Sequence, residues 1–204
     1  MSAIFAEELR VAYEHGHRDF RHWDLAGADL RGITIPGASL YGANLRGADL
    51  RDSDLTDVDL RTADMQKADL SHANLQNARL AGADLENASL EGAIMVESDL
   101  RMANLEEADL TGANLHGASL PDAALIGADL EGADLTDADL SCADLEQADL
   151  REANLHNAAL READLRCADF GGANMMDVQL RGANLHDVDL AGTCLERRRR
   201  TPSS

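Results

Sequence analysis

The sequence predicts an all-β fold, a four-sided parallel β-helix of about nine coils preceded by one short helix. Three observations carry this. From Phe20 to Leu195 a large apolar residue returns at every fifth position, and 30 of these 36 anchors are Leu. Ala stands two residues before the anchor in 27 units, and Asp one residue before it in 19, with Asn the next choice, so the unit is A-(D/N)-L-x-x. The two residues after each anchor are turn formers: 14 of the 16 Gly fall at the second of them, and Pro36 and Pro121 at the first.

A period of five fits neither the 3.6 of a helix nor the 2 of a flat strand. Pro followed by Gly or Asn is what a type II turn requires, with φ near −60° and then above zero. Each unit is therefore a short extended piece and a corner. Four corners close a coil of about 20 residues that climbs roughly one strand spacing, ~4.8 Å, so the rod is on the order of 40 Å long. Leu points inward. Ala, two residues earlier, faces the same way, and only a small side chain can share that narrow interior.

The ends differ from the middle. In residues 1–17, the spacing of Ile4, Phe5, Leu9, Ala12 and Tyr13 predicts an amphipathic capping helix that stops at Gly16 and covers the open edge of the first coil. Trp23 stands where later units carry Ala, a slot too small for an indole except at an end, and Arg18 marks an imperfect first unit. Residues 18–195 form the β-helix. Residues 196–204, with Arg197 to Arg200, read as a basic, disordered tail that offers the last coil no apolar cover. Two rods meeting at their C-terminal coils, or a frayed last coil with the tail folded onto an acidic rod, are the two expectations there.

Composition narrows the function. The chain of 204 residues carries a formal charge of −20 and 3% aromatics. Such a surface disfavours nucleic-acid phosphates, favours basic partners and keeps the protein soluble. Cys142, Cys167 and Cys194 lack CxxC spacing and read as free thiols. Neither a signal peptide nor a membrane-spanning run is apparent, so the cytoplasm is the expected compartment.

An enzyme is not expected. His116 and His156 share a face but lie two coils apart, about 10 Å, too far for one metal with ligands at about 2 Å each. No Ser or Cys has a nucleophile's setting, no phosphate-binding glycine motif occurs, and a convex rod lacks a concave pocket. The sequence predicts no catalytic residue, no metal and no cofactor.

Two surface features remain. Residues 20 apart stack on one face, and the positions before the anchors of the Leu30 face are Asp29, Asp49, Asp69, Ser89, Asp109, Asp129, Asp149, Asp169 and Asp189. Glu91, Glu131 and Glu152 add to that side, while Arg31, Arg51 and Arg151 partly neutralise it. The Leu40 face is more basic, with Arg21, Arg61, Arg101, Arg161 and Arg181 at its corners. The second feature is a candidate apolar patch of Ile94, Val96, Met102 and Ile126, beside Ala124 in place of the usual Asp or Asn; Tyr41 and Met176 are further exposed candidates.

The in-register A-(D/N)-L-x-x units over residues 18–195 resemble the pentapeptide-repeat family. The resemblance implies a right-handed quadrilateral β-helix and a non-catalytic, protein-binding role. The short helix followed by Gly, a basic residue and Phe is similar to the N-terminal end of a cyanobacterial, heterocyst-inhibiting member. Members that protect DNA gyrase and topoisomerase IV from quinolones are regarded as DNA mimics, being acidic rods of about duplex width. The resemblance thus points to a type II topoisomerase as partner through Asp109, Asp129, Asp149 and Asp169. The loop that interrupts some of those members, and the added helix through which some dimerise, are missing here. The alternative is a regulatory scaffold that binds an unrelated protein through the apolar patch.

Overall fold

The computed structural model describes the backbone of residues 2–195 and the side chains of residues 7–195. The tail at 196–204, and with it the expectation of a disordered basic extension, lies outside the described residues, as do the side chains of Ile4 and Phe5.

The repeat folds as a solenoid of short parallel bridges, each joining a residue to the one 20 positions later, from Asp19↔Ser39 to Asp169↔Asp189. One unit explains the rest, because all five of its backbone N–H groups find an acceptor. Leu110 N donates up the rod to Asp129 O at 2.7 Å, and Gly112 N to Glu131 O at 2.9 Å. Ala113 N closes the corner onto Leu110 O at 2.9 Å, and Asn114 N donates down to Ala93 O at 2.9 Å. Neither ladder nor turn uses the fifth, Thr111 N, which goes to the Asp109 side chain Oδ1 at 3.0 Å. An unpaired backbone donor is costly, so the position before the anchor selects a short side chain with an acceptor oxygen. Asn serves as well as Asp: Asn114 Oδ1 takes His116 N at 3.1 Å.

The corner closed by an i+3→i hydrogen bond with φ near +60° at its second residue is a type II turn. Gly is not required there. Asp52, Lys67 and Met102 hold φ of 58°, 59° and 58°. The left-handed conformation costs an L-residue roughly 1 kcal/mol, and the cost is borne because both neighbouring hydrogen bonds fix the backbone. At Met102 these are Met102 N to Pro121 O at 3.0 Å and Ala103 N to Leu100 O at 3.0 Å.

Inside, the Leu anchors and their Ala partners form one continuous buried column. Two units replace Ala with Ser. The buried Ser98 hydroxyl donates to Met95 O at 2.7 Å, whereas the buried Ser53 hydroxyl has no partner. A buried unsatisfied hydroxyl costs on the order of 1 kcal/mol. Ser53→Ala is therefore expected to raise stability in urea by about that amount; no gain would show that the hydroxyl is paired in solution.

The helix α1, Ser2–Glu14, packs on the first coil through the buried Leu9, with Ala12, Tyr13 and Trp23 partly covered beside it. It ends in a Schellman motif: Gly16 takes φ 90°, Gly16 N donates to Tyr13 O, and His17 N donates to Ala12 O. Tyr13 Oη donates to Pro36 O at 2.9 Å. Arg18 Nη1 donates to Tyr13 O at 2.8 Å, and its guanidinium lies 3.7 Å over the Tyr13 ring. Trp23 spreads edge-on to Phe20, centroids 5.1 Å apart. At the other end Val178, Leu180, Ala183, Leu185 and Leu195 are only partly buried, beside a cavity of about 440 Å³ lined by Met175, Met176, Val178 and Leu195. No described helix is long and apolar enough to cross a membrane.

Candidate protein-binding surface

The side chain before each anchor projects outward from the coil, and where it is Asp or Asn its Oδ1 is committed to the corner. In the predicted ladder, Asp109, Asp129, Asp149 and Asp169 are all half-exposed. Their Oδ1 atoms accept from Thr111, Glu131, Arg151 and Gly171 N at 3.0, 2.9, 3.0 and 2.8 Å. These four Asp therefore have a structural role, and only Oδ2 is left for a partner.

Asp149 does not have even that. Arg151, two residues on, sends Nε to both carboxylate oxygens at 2.8 Å, and its Nη2 lies 2.6 Å from Oδ2. This hydrogen bonding holds the Asp149 carboxyl below its ordinary pKa. The same Asp-Leu-Arg clamp recurs at Asp29–Arg31 and Asp49–Arg51, and Arg31 draws the Asp29 carboxyl down to about 2 through its side chain and then its backbone N–H. The ladder is thus neutralised at 29, 49 and 149 and carries free charge at Asp109, Asp129 and Asp169.

Sorting charge along the rod rather than by face shows a larger asymmetry. Residues 80–150 hold 17 of the 38 carboxylates but only one of the 18 Lys and Arg, Arg101, so −16 of the formal −20 falls there. Arg101 itself is clamped to Asp99 at 2.7 Å. Asp84, Glu86, Glu106 and Glu107 on the face before the ladder join Glu91, Asp109, Asp129 and Glu131 to form an acidic belt. Its upper edge is tempered by Arg151, which also reaches Glu131 at 2.7 Å, and by Arg166, which reaches Glu146 at 2.5 Å. Sequence reasoning missed Glu86, Glu106 and Glu107, although a charge count along the chain reveals them.

The apolar patch is smaller than the sequence suggests. Ile94 is 42% exposed and Met102 72%, but Val96 and Ile126 are half-buried. Both occupy first-corner positions, where side chains of adjacent coils stack about 4.8 Å away and cover them. Tyr41 is half-buried too, whereas Met176 is exposed near the C-terminal cavity.

For chemistry, Asp129, Glu131 and Asp149 form the one trio among the described residues with ligand atoms close enough to hold a metal, within 4.8 Å of one another. Arg151 already bridges two of them. No histidine joins such a group among the described residues, and Cys142, Cys167 and Cys194 are exposed free thiols.

The family model "Pentapeptide repeats" matches residues 24–61, 63–101, 98–137, 128–166, 138–175 and 160–197, with eight copies. The chain belongs to the pentapeptide-repeat family. Its solenoid is accordingly the right-handed β-helix of that family. Among solved structures it is similar to HetL, a pentapeptide-repeat protein involved in heterocyst differentiation regulation from the cyanobacterium Nostoc sp. strain PCC 7120. The two are 33% identical, the alignment covers 92% of this chain and 95% of HetL, and the TM-score is 0.58. It is also similar to a trypsin-treated variant of QnrB1, a plasmid-mediated fluoroquinolone resistance protein, at 26% identity over 84% of this chain and 80% of that one, with a TM-score of 0.55. A second QnrB1 variant, 24% identical with a TM-score of 0.61 over 91% and 87% of the chains, shares the fold. No match was found among curated proteins.

Proposed function

We propose that this pentapeptide-repeat protein is a non-catalytic rod that binds a basic protein surface through its acidic belt, acting as a DNA mimic on DNA gyrase or another type II topoisomerase. The charge density of the belt carries this reading. Residues 80–150 climb about 17 Å, so the −16 there amounts to roughly one charge per ångström of axis, against one per ~1.7 Å in duplex DNA. The likeness to QnrB1, a fluoroquinolone resistance protein, supports the same direction. Asp109, Asp129 and Asp169 supply free carboxylates on the ladder, whereas Asp149 is neutralised by Arg151 and drops out of the contact.

The test is a gyrase supercoiling assay at low and moderate salt, with and without a quinolone. Salt-dependent inhibition or protection is the expected result; no effect at micromolar protein overturns the topoisomerase assignment. The second reading, a regulatory scaffold, rests on the exposed Ile94 and Met102 and on the likeness to HetL, a protein involved in heterocyst differentiation regulation. Contact through that patch would resist salt and fail when Ile94 and Met102 become charged. Within either reading, two rods meeting at their C-terminal coils would cover Val178, Leu180 and Leu185.

A further inference from the structure

Near α1, on the Leu40 face, a cleft of about 500 Å³ is lined by Arg18, Arg21, Tyr41 and Arg61, with Asp19 and Asp59. Three guanidinium groups converge on this cleft, two of them paired to Asp19 and Asp59, which leaves one net positive charge on an otherwise acidic rod. Two of them are held rigidly. Arg21 Nε and Nη2 donate to Asp19 at 2.8 and 2.6 Å, and Arg61 Nε and Nη2 donate to Asp59 at 2.8 Å each. Neither Nη1 has a partner among the described residues. Arg18 has no carboxylate partner among the described residues, donating to Tyr13 O and His17 O and lying over the Tyr13 ring, so its charge is the local excess.

The three first-corner residues Arg21, Tyr41 and Arg61 stack on successive coils, which puts the two locked forks about 10 Å apart with the Tyr41 ring between them. Arg61 lies 5.5 Å from the Tyr41 centroid, and His22 packs edge-on to the same ring at 5.6 Å. A single carboxylate or phosphate cannot bridge forks so far apart. A polyproline-II segment can, because it places residues three apart on one side with a rise of about 9.3 Å. The stretch of PPII backbone between those two residues would pass over the aromatic ring.

We infer that this cleft binds an extended acidic peptide segment of a partner protein, with carboxylates three residues apart on Arg21 and Arg61 and the backbone between them over Tyr41. This site and the acidic belt are made of different residues, but the belt begins about one coil, ~5 Å along the axis, beyond Arg61, within a Debye length of roughly 8 Å, so its repulsion of an acidic ligand should weaken as salt rises.

A fluorescein-labelled peptide, Gly-Glu-Pro-Pro-Glu-Gly, titrated with the full chain and followed by anisotropy, tests this. Saturable binding is expected, weakened roughly tenfold by Arg61→Gln, since a charge-assisted fork is lost, and several-fold by Tyr41→Ala. Arg61→Lys keeps the charge without the fork and is expected to fall between. Arg161→Gln, on the same face several coils away, should bind as the unaltered chain does. Thermal melts by circular dichroism check that each variant is folded. No saturation up to about 1 mM, where a carboxylate pair on two forks should bind, overturns the proposal. So does unchanged affinity in Arg61→Gln, or equal affinity for a peptide whose two glutamates are adjacent.

Discussion

Leu110→Ala is expected to remove about 3–4 kcal/mol of stability, while Leu185→Ala removes only about 1 kcal/mol. Leu110 is fully buried, and its coil is bridged to those below and above through Ser89↔Asp109 and Asp109↔Asp129. A truncated side chain there leaves a cavity that the walls cannot close, because two ladders fix their spacing. Leu185 is partly buried at the open end, so less apolar area is lost and neighbours can relax into the gap. Urea unfolding followed by circular dichroism measures both. Stability in a solenoid is close to a sum of coil and interface contributions, so the mid-rod variant should also broaden the transition as the halves separate. Equal losses at the two positions would show that the C-terminal coil is covered in solution, by another copy or by chain outside the described residues.

The architecture was legible because its cause is periodic. Each anchor and each Ala repeats the same inward geometry, and Pro36 with Gly37 names the turn. What was not legible had two sources. The Asp before each anchor looked like surface charge, yet Asp109 is there first to accept Thr111 N; the signal was Asn in the same slot, which keeps the acceptor and drops the charge. The corners at Lys67 and Met102 carry no Gly or Asn, since hydrogen bonds on either side hold them left-handed whatever the residue. For the candidate site, a face-by-face sort found Asp109 and Asp129 and named Arg151 as a partial counter-charge, but still placed Asp149 among the contact residues. Its clamp to Arg151 is readable as Asp-Leu-Arg only once the structure shows that residues two apart across a corner meet.

That cap gives a clean way to test the belt. Converting Asp109 and Asp129 to Asn, and Glu106 and Glu107 to Gln, removes four charges while keeping the acceptor at both capping positions, as Asn114 and Asn154 already do. The fold should be untouched. Binding to gyrase at low salt should weaken roughly tenfold to a hundredfold, chiefly through a slower association rate, because charge complementarity steers encounter. The salt dependence should also flatten. A matched variant carries Asn at positions 24, 52, 57 and 187, so Asp24, Asp52, Asp57 and Asp187 outside the belt lose the same total charge. If only net charge mattered, the two variants would lose equally, and the belt would not be the contact. If the belt is the contact, the matched variant keeps most of its affinity, since exposed charges more than roughly 8–10 Å from the interface are screened. A belt variant that binds as tightly as the unaltered chain, with Ile94→Lys and Met102→Lys abolishing binding instead, would transfer the function to the apolar pair.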